Sequence, residues 1–541
     1  MKDISSTGSF VDFTLENFIY VDKTVYIPQL VKLKRVFISR PRRFGKSLTL
    51  DTIATLFETG VDPYFKGTWI YDKWTEPTYP VLRLNFLNFD KNTLEKFNNK
   101  LNSKITEFAE LNQVTTYKEK EEAEDSIDHL LEQLRLEGRQ IVILIDEYDC
   151  QMTANINNET LYKQFQEKIK SFYANIKDKF AIKFLGITGV TRLKDVSIFS
   201  VGSDINDITN ASAYSQMIGF TRDEIKKYYI DYLKLASSYE NNCSVGDVTD
   251  TQLESMLDMM AQNYDGYCFD EDYEKKVFST WSVNKFFQTM IEKKKVQFGE
   301  YWYDNGGLPS ILVNYLKTHE LNIFEYLDKD KFLKVYSDDF KNPTALTTIN
   351  QNVLMCQTGY LTLRSDLNKT STVALGIPNG EIYKALNRLL ANNIFKGNTD
   401  ITDDYGRSLL EVGTVDDIIN LFNSALNSVS YDNYPIVSES SVQNMLKLYL
   451  LGAHQEVLSE VHEAKGRADL VVNTDNRRIV FEFKYAKNEA EAKSKLSEAV
   501  EQIKTRDYGN ILPKKNELIR IAAVFNADPK VRAFTENQIV P

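Results

Sequence analysis

Apolar and polar positions change rhythm along this 541-residue chain. In the first third, short apolar runs alternate with longer amphipathic stretches. VFIS (36–39), PVLRLNF (80–86), IVILID (141–146) and KFLGITG (183–189) read as strands, and SLTLDTIATLF, soon after the first of them, reads as a helix. Strands separated by long helical segments need crossover connections, so the pattern predicts a parallel sheet with helices packed on it. From Thr221 the rhythm is helical: TRDEIKKYYIDYLKLA opens on a threonine followed three residues later by Glu224, a capping box. Helical spacing dominates 249–345. VLMCQTGYLTL (353–363) and STVALG (371–376) read as a helix end and a short hairpin, a winged-helix-like unit, followed by a helical connector over 380–435. A last α/β segment begins near 440. The expected division is therefore 1–220, 221–345, 346–435 and 436–541.

Composition removes several function classes. Apolar residues make up 43% and charged residues 26%, enough for real cores and unlike a disordered chain. The longest apolar runs, such as 141–145, fall far short of the roughly 18 residues that span a bilayer, so no membrane partner is expected. The opening MKDISSTGSFVDF has an acid at position 3 and no apolar core, so no secretory leader is expected. Cysteines at 150, 243, 268 and 356 show no CxxC spacing and the chain has four histidines, which argues against zinc ribbons and disulfide scaffolds and for the reducing cytoplasm. A net charge of −11 excludes a chain that coats nucleic acid everywhere. The acidity lies upstream, as in the block KEKEEAED (118–125). Residues 441–541 hold 16 Lys and Arg against 14 Asp and Glu, so a local nucleic-acid site remains open.

Two clusters carry chemistry. In VFISRPRRFGKSLTL (36–50), Gly45-Lys46-Ser47 lies between a β-branched run and a helix start, the context of a phosphate-binding loop. Backbone N–H groups there cradle phosphate oxygens, Lys46 reaches the β/γ-phosphates of ATP and the Ser47 hydroxyl ligates magnesium. The first glycine of the general motif is Arg40 here. Arg40, Arg42 and Arg43 either bind phosphate or neutralise nearby acids. The buried run 141–145 ends in Asp146-Glu147, a carboxylate for the magnesium shell followed by one that orients or deprotonates the attacking water. Thr188, ending the fourth run, either senses the γ-phosphate or is a plain loop residue. Arg192 either stabilises transferred charge or serves the loop.

The second cluster is in EVHEAKGRADLVVNTDNRRIVFEFK (460–484). If Asp475-Asn476 form a two-residue hairpin loop, Asp469 lies directly across from Glu482, and Val480, Glu482 and Lys484 share one strand face. Two carboxylates and a lysine together suit a magnesium nuclease: the acids bind metal and the lysine acts on water beside the scissile phosphate. Tyr301-Trp302-Tyr303 reads as a buried cluster rather than a base-stacking platform, and Gly266 as a turn.

YVDKT (20–24), SRPRRFGKSL (39–48), LIDEYD (144–149), ITGVTRL (187–193), YDGYCFD (264–270) and GYLTL (359–363) resemble, in order and over about residues 10–530, the prokaryotic AAA-ATPase-like family, which often carries a C-terminal PD-(D/E)XK nuclease-like domain. Arg40 is no departure within that family. The resemblance implies a parallel-sheet P-loop NTPase core of AAA+/STAND type, a helical and winged-helix-like middle region and a C-terminal PD-(D/E)XK nuclease-like α/β domain. It implies cofactor binding by Arg43, Gly45, Lys46, Ser47, Asp146, Thr188 and Arg192, with Glu147 catalytic. It implies a nuclease centre of Asp469, Glu482 and Lys484. Glu460, on a preceding helix, matches the family's additional acid, with Glu463 and Glu456 as weaker matches, and His462 sits at a helix end. Gln502 and Tyr508 match a helix motif behind the core. ATP, magnesium and nucleic acid, DNA ahead of RNA, are the expected partners, and a homo-oligomer is left open because AAA-type sites often borrow a neighbour's arginine. The expected function is an ATPase with a magnesium nuclease domain, in defence or mobile-DNA processing. The alternatives are a nucleotide-switched interaction protein that binds nucleic acid without cutting it, and an ATP-driven remodeller of proteins.

Overall fold

The structure, a computed structural model, describes all residues except 177–178, 194–204, 303–309, 317–322, 344, 347, 396–406, 454, 464–465 and 510–514, and the side chains of 310, 407, 456 and 459–463. The chain divides into two compact units: Met1–Leu321 with Asp330–Ile382, and Asn322–Lys329 with Tyr383–Pro541. No helix among the described residues is long and apolar enough to cross a membrane.

The first unit is built on strands β1 (Arg35–Ser39), β2 (Val81–Asn85), β3 (Ile141–Asp146), β4 (Ile182–Gly189) and β5 (Asn206–Asp207). They form one parallel sheet in the order β2-β3-β4-β1-β5. Every residue of β3 is buried, as a central strand covered on both faces requires. The order places the carboxyl ends of β1, β4 and β3 side by side, where open α/β sheets gather ligands. Beyond the sheet, Thr221 and Glu224 form the expected capping box, opening Arg222–Tyr228.

Three short antiparallel strands follow, β6 (Leu333–Tyr336), β7 (Thr362–Leu363) and β8 (Thr372–Gly376), in the order β6-β8-β7. The helix Gln351–Gln357 precedes β7. The helix-then-hairpin expectation thus describes 351–376, and β6 adds a strand to 249–345, where helical spacing dominates. Leu333 and Val335 are buried while Lys334 and Tyr336 are exposed, a period of two.

Glu381 binds this unit internally: its carboxyl accepts from Ser282 Oγ at 2.7 Å and from the Trp302 N–H at 2.8 Å. Burial pushes its pKa from 4.5 up to about 8. A carboxyl held protonated by the fold contributes fully below pH 4.5 and loses that contribution as pH rises through about 8. Wild type should therefore lose thermal stability progressively between about pH 4.5 and 8. Glu381→Gln should lose less over the same range, and parallel curves would refute the assignment.

The second unit holds β9 (Glu456–Glu463), β10 (Gly466–Asn473), β11 (Arg477–Ala486), β12 (Glu517–Asn526) and β13 (Ala533–Ile539), in the order β13-β12-β11-β10-β9. Only β11 and β12 run parallel, joined by the helix Glu489–Arg506. Ala499 and Ile503 of that helix pack with Val480, and Phe422 of the helix Val415–Asn427 packs on Phe481, so β11 is covered on both faces.

Candidate functional sites

At the end of β1, Gly45 caps the helix Lys46–Thr59 with a left-handed backbone (φ 101°) and open space where a side chain would stand. Lys46 is buried, donates to the carbonyls of Arg40 (3.0 Å) and Pro41 (3.1 Å), and lies 3.9 Å from Glu147 Oε1. Ser47 Oγ donates to Asp146 Oδ2 at 2.6 Å, and Thr188 Oγ1 donates to Asp146 Oδ1. One carboxylate at the end of β3 thus gathers the hydroxyls that follow β1 and end β4. A hydroxyl beside a carboxylate suits a magnesium ion bound jointly with phosphate. Glu147 has a left-handed backbone (φ 54°). Burial raises its pKa, Lys46 opposes that rise, and Asp149 and Asp146 add to it. A carboxylate held nearer neutrality suits a base acting on water. Beside Gly45 and Thr49 a cavity of about 170 Å³ opens, lined also by Thr7, Tyr20, Phe44 and Trp281.

In the second unit β10 and β11 pair in the expected register, Leu470 opposite Phe481 and Val471 opposite Val480, with Asp475 and Asn476 in the turn. Asp469 Oδ2 accepts the N–H of Phe483 at 2.8 Å. Glu482 is fully buried; its Oε1 accepts from Lys484 Nζ at 2.9 Å, and its Oε2 has no partner among the described residues. Burial, then Asp469, push Glu482 up to about 7, while Lys484 pulls the other way. Lys484 Nζ also lies 3.2 Å from Glu439 Oε1. Burial disfavours that ammonium, but Glu482 and Glu439 together hold its pKa above its ordinary value. An orphaned buried carboxylate oxygen beside a second acid fits a divalent cation. No group of three or more His, Cys, Asp or Glu among the described residues forms a metal cage. Such a site suits an ion that keeps waters and substrate oxygens in its shell, as magnesium does.

Residues 5–199 match the family described as predicted AAA-ATPase, and residues 437–535 match the PD-(D/E)XK nuclease superfamily. The chain joins an AAA-ATPase-like domain to a PD-(D/E)XK nuclease-like domain. An uncharacterised protein in the vnfD 5′ region of Azotobacter chroococcum mcd 1 is 25% identical over 536 residues, 95% of this chain and 94% of that protein. Among solved structures, the Walker-type ATPase PABY2304 of Pyrococcus abyssi is similar at TM-score 0.35 and 11% identity, covering 67% of this chain and 94% of that one. Cdc6p of Pyrobaculum aerophilum is similar at TM-score 0.24 and 10% identity, covering 67% and 91%.

Several expected residues of the AAA-ATPase-like domain stand elsewhere. The Arg43 guanidinium donates to Tyr301 O at 2.7 Å and lies 4.5 Å over the Trp281 ring, so it anchors the loop instead of facing phosphate. Its backbone is left-handed (φ 69°). Arg192 is ion-paired with Asp207 of β5. Arg40 is buried against Phe269. Of the basic trio, Arg42 is the one whose charge favours ionised Glu147. The unassigned Asp149 is buried and accepts from Thr191 N (2.7 Å) and Oγ1 (2.6 Å), locking the exit of β3 to that of β4.

The motifs far from the loop seat it. Phe44 packs edge-on against Tyr267 at 4.7 Å and Phe269 at 5.4 Å. Tyr301 and Trp302 are buried in the same region, and Tyr303 lies outside the described residues. Gly266 turns with φ 93°. Gly359 (φ 90°) approaches so closely that an added Cβ would stand 2.8 Å from both Pro41 and the Trp302 ring. Gly359→Ala should cost about 2 kcal/mol and show as a lower Tm; an unchanged Tm would contradict this packing.

In the nuclease-like domain the correction concerns the additional acid. Glu460 lies in β9, not on a helix, as do Glu456, His462 and Glu463, and their side chains are outside the described residues. Acids at 456, 460 and 463 have helical spacing, but seven residue pairs with β10 hold the segment extended. The helix acid at the site is Glu439, first residue of Glu439–Gly452, which Ser438 caps. Its signal was the Ser-Glu start of the last amphipathic helix before the hairpin. Gln443 of that helix donates to Asp469 O. Gln502 Nε2 lies 3.5 Å from the buried Tyr508 hydroxyl, to which Arg506 donates at 2.8 Å.

Proposed function

We propose that this protein binds and hydrolyses ATP with magnesium in its first unit and cuts phosphodiester bonds of nucleic acid with magnesium in its second. DNA ranks ahead of RNA as the substrate. The observation that carries the nuclease reading is the orphaned Glu482 Oε2 beside Asp469 with Lys484 bound between Glu482 and Glu439. Asp469 and Glu482 would hold the ion, with Glu439 holding the Lys484 ammonium beside it, and the ion would supply Lewis-acid stabilisation of phosphate charge when bound. Lys484 keeps its proton and places a positive charge where water meets the phosphorus. Asp469, bonded to Phe483 N, fixes the hairpin register that aligns these groups.

In the first unit, Lys46 would leave the Arg40 and Pro41 carbonyls for the β/γ-phosphates. Ser47 and Asp146 would hold magnesium, Glu147 would take a proton from water and Thr188 would report phosphate through Asp146. The cavity beside Gly45 is the place for the base. Within this reading the ATPase part is 1–220, the helical part, which contains β6, 221–345, the winged-helix-like and helical connector 346–435, and the nuclease part 436–541. The work is cytoplasmic, on foreign or mobile DNA.

The lack of a three-ligand cage among the described residues favours a second reading, nucleic-acid binding without cleavage. Labelled single- and double-stranded DNA and RNA, incubated with the full chain and magnesium or manganese, separate the two. Cleavage that EDTA abolishes supports the nuclease; intact substrate that nonetheless shifts in a gel supports binding alone.

A further inference from the structure

Arg40 stands at the root of the phosphate loop with its side chain 1% exposed. One guanidinium nitrogen donates to the carbonyls of Ser39 (2.9 Å) and Thr209 (2.5 Å), and the group lies 4.2 Å from the Phe269 ring centre. The Nε and second terminal nitrogen find no acceptor among the described residues. Leaving buried donors of a charged group unmet costs several kcal/mol, so such groups are normally paired. The side chain borders a cavity of about 40 Å³, enough for one or a few water-sized occupants. Arg192 lines the same cavity, with Thr209, Asn210, Cys268 and Cys356, and no carboxylate does.

The charges there do not balance. Asp207, whose charge also favours the Arg40 cation, is paired with Arg192. Burial pulls Arg40 down to about 9, which still leaves it a cation at neutral pH. The two thiols supply no negative charge, because burial pushes Cys268 up to about 11 and Cys356 up to about 12. Two guanidinium groups therefore share one carboxylate.

We propose that this cavity binds a small inorganic anion, of chloride size, between Arg40 and Arg192. A single-atom ion can accept both free Arg40 donors within the volume present, whereas a phosphate or sulfate brings four oxygens into it. The walls come from the root of the phosphate loop, the exit of β4 and the helix Gln351–Gln357. That helix already brackets residue 192: Gln357 accepts the Arg192 N–H at 3.3 Å and donates to its carbonyl at 3.2 Å. A bound anion would hold these three elements together, independently of whether either unit is catalytically active.

The test is thermal unfolding of the full chain in potassium chloride, bromide or gluconate at fixed ionic strength, with crystals grown in bromide. Chloride and bromide should raise Tm saturably over gluconate, and anomalous scattering should place bromide within hydrogen-bonding distance of Arg40 Nε. Arg40→Met should lose the halide effect. If that variant does not fold, Arg192→Gln, which frees Asp207 to neutralise Arg40, should lose it instead. Equal Tm in the three salts, a halide effect of the same size in the folded variant, or bromide crystals with only water at the cavity would each overturn the proposal.

Discussion

Lys484→Ala is expected to reduce nucleic-acid cleavage by about 10²- to 10³-fold, the usual weight of one preorganised charge aimed at the reacting group, while ATP turnover stays near wild type. The ammonium stands 2.9 Å from Glu482 Oε1 and 3.2 Å from Glu439 Oε1. Without it two acids face each other and Glu482 takes up a proton more readily, which lets the variant fold without a buried unpaired charge. A far-ultraviolet spectrum and a Tm close to wild type would show that the loss is chemical. Asp469→Ala should also lose cleavage, but with a lower Tm, since the Phe483 N–H at 2.8 Å loses its acceptor. Wild-type cleavage by Lys484→Ala would remove the lysine from the mechanism.

The second large effect is at the phosphate loop. Lys46→Ala should weaken ATP binding by about 3 kcal/mol, roughly 100-fold, because one partner of a buried charge pair is deleted. Glu147→Gln should keep binding and lose turnover by about 10²- to 10⁴-fold, since its carboxylate acts on water and not on the phosphates. Fluorescent-nucleotide titration measures the first and phosphate release the second. Equal turnover by wild type and Glu147→Gln would end the assignment of Glu147 as base.

What the sequence disclosed depended on range. Gly45-Lys46-Ser47 and Asp146-Glu147 were legible because each is a local pattern, a strand run ended by a fixed residue string. The Asp469–Glu482 register was legible because a two-residue turn sets a hairpin's pairing by itself. Strand β6 was missed because four residues of period two, Leu333–Tyr336, are lost among helical neighbours and gain their ladder only from β8, about 40 residues later. The direction of Arg43 depends on carbonyls more than 250 residues away, and that of Arg192 on Asp207. Glu439 precedes Lys484 by 45 residues and joins it only through the packing of its helix on β11. The family resemblance favoured Glu460 on a helix, but pairing with β10 holds that segment extended.

In the function proposed above, one chain carries two chemically separate magnesium-dependent sites. The most direct measurement follows, in one tube, cleavage of labelled single-stranded DNA and release of phosphate from ATP by wild type, Lys46→Ala and Lys484→Ala with magnesium. Wild type should do both, Lys484→Ala should release phosphate without cutting, and Lys46→Ala should lose phosphate release. Phosphate release that falls with Lys484→Ala as far as it falls with Lys46→Ala, or DNA left intact by wild type under every metal, would contradict the account.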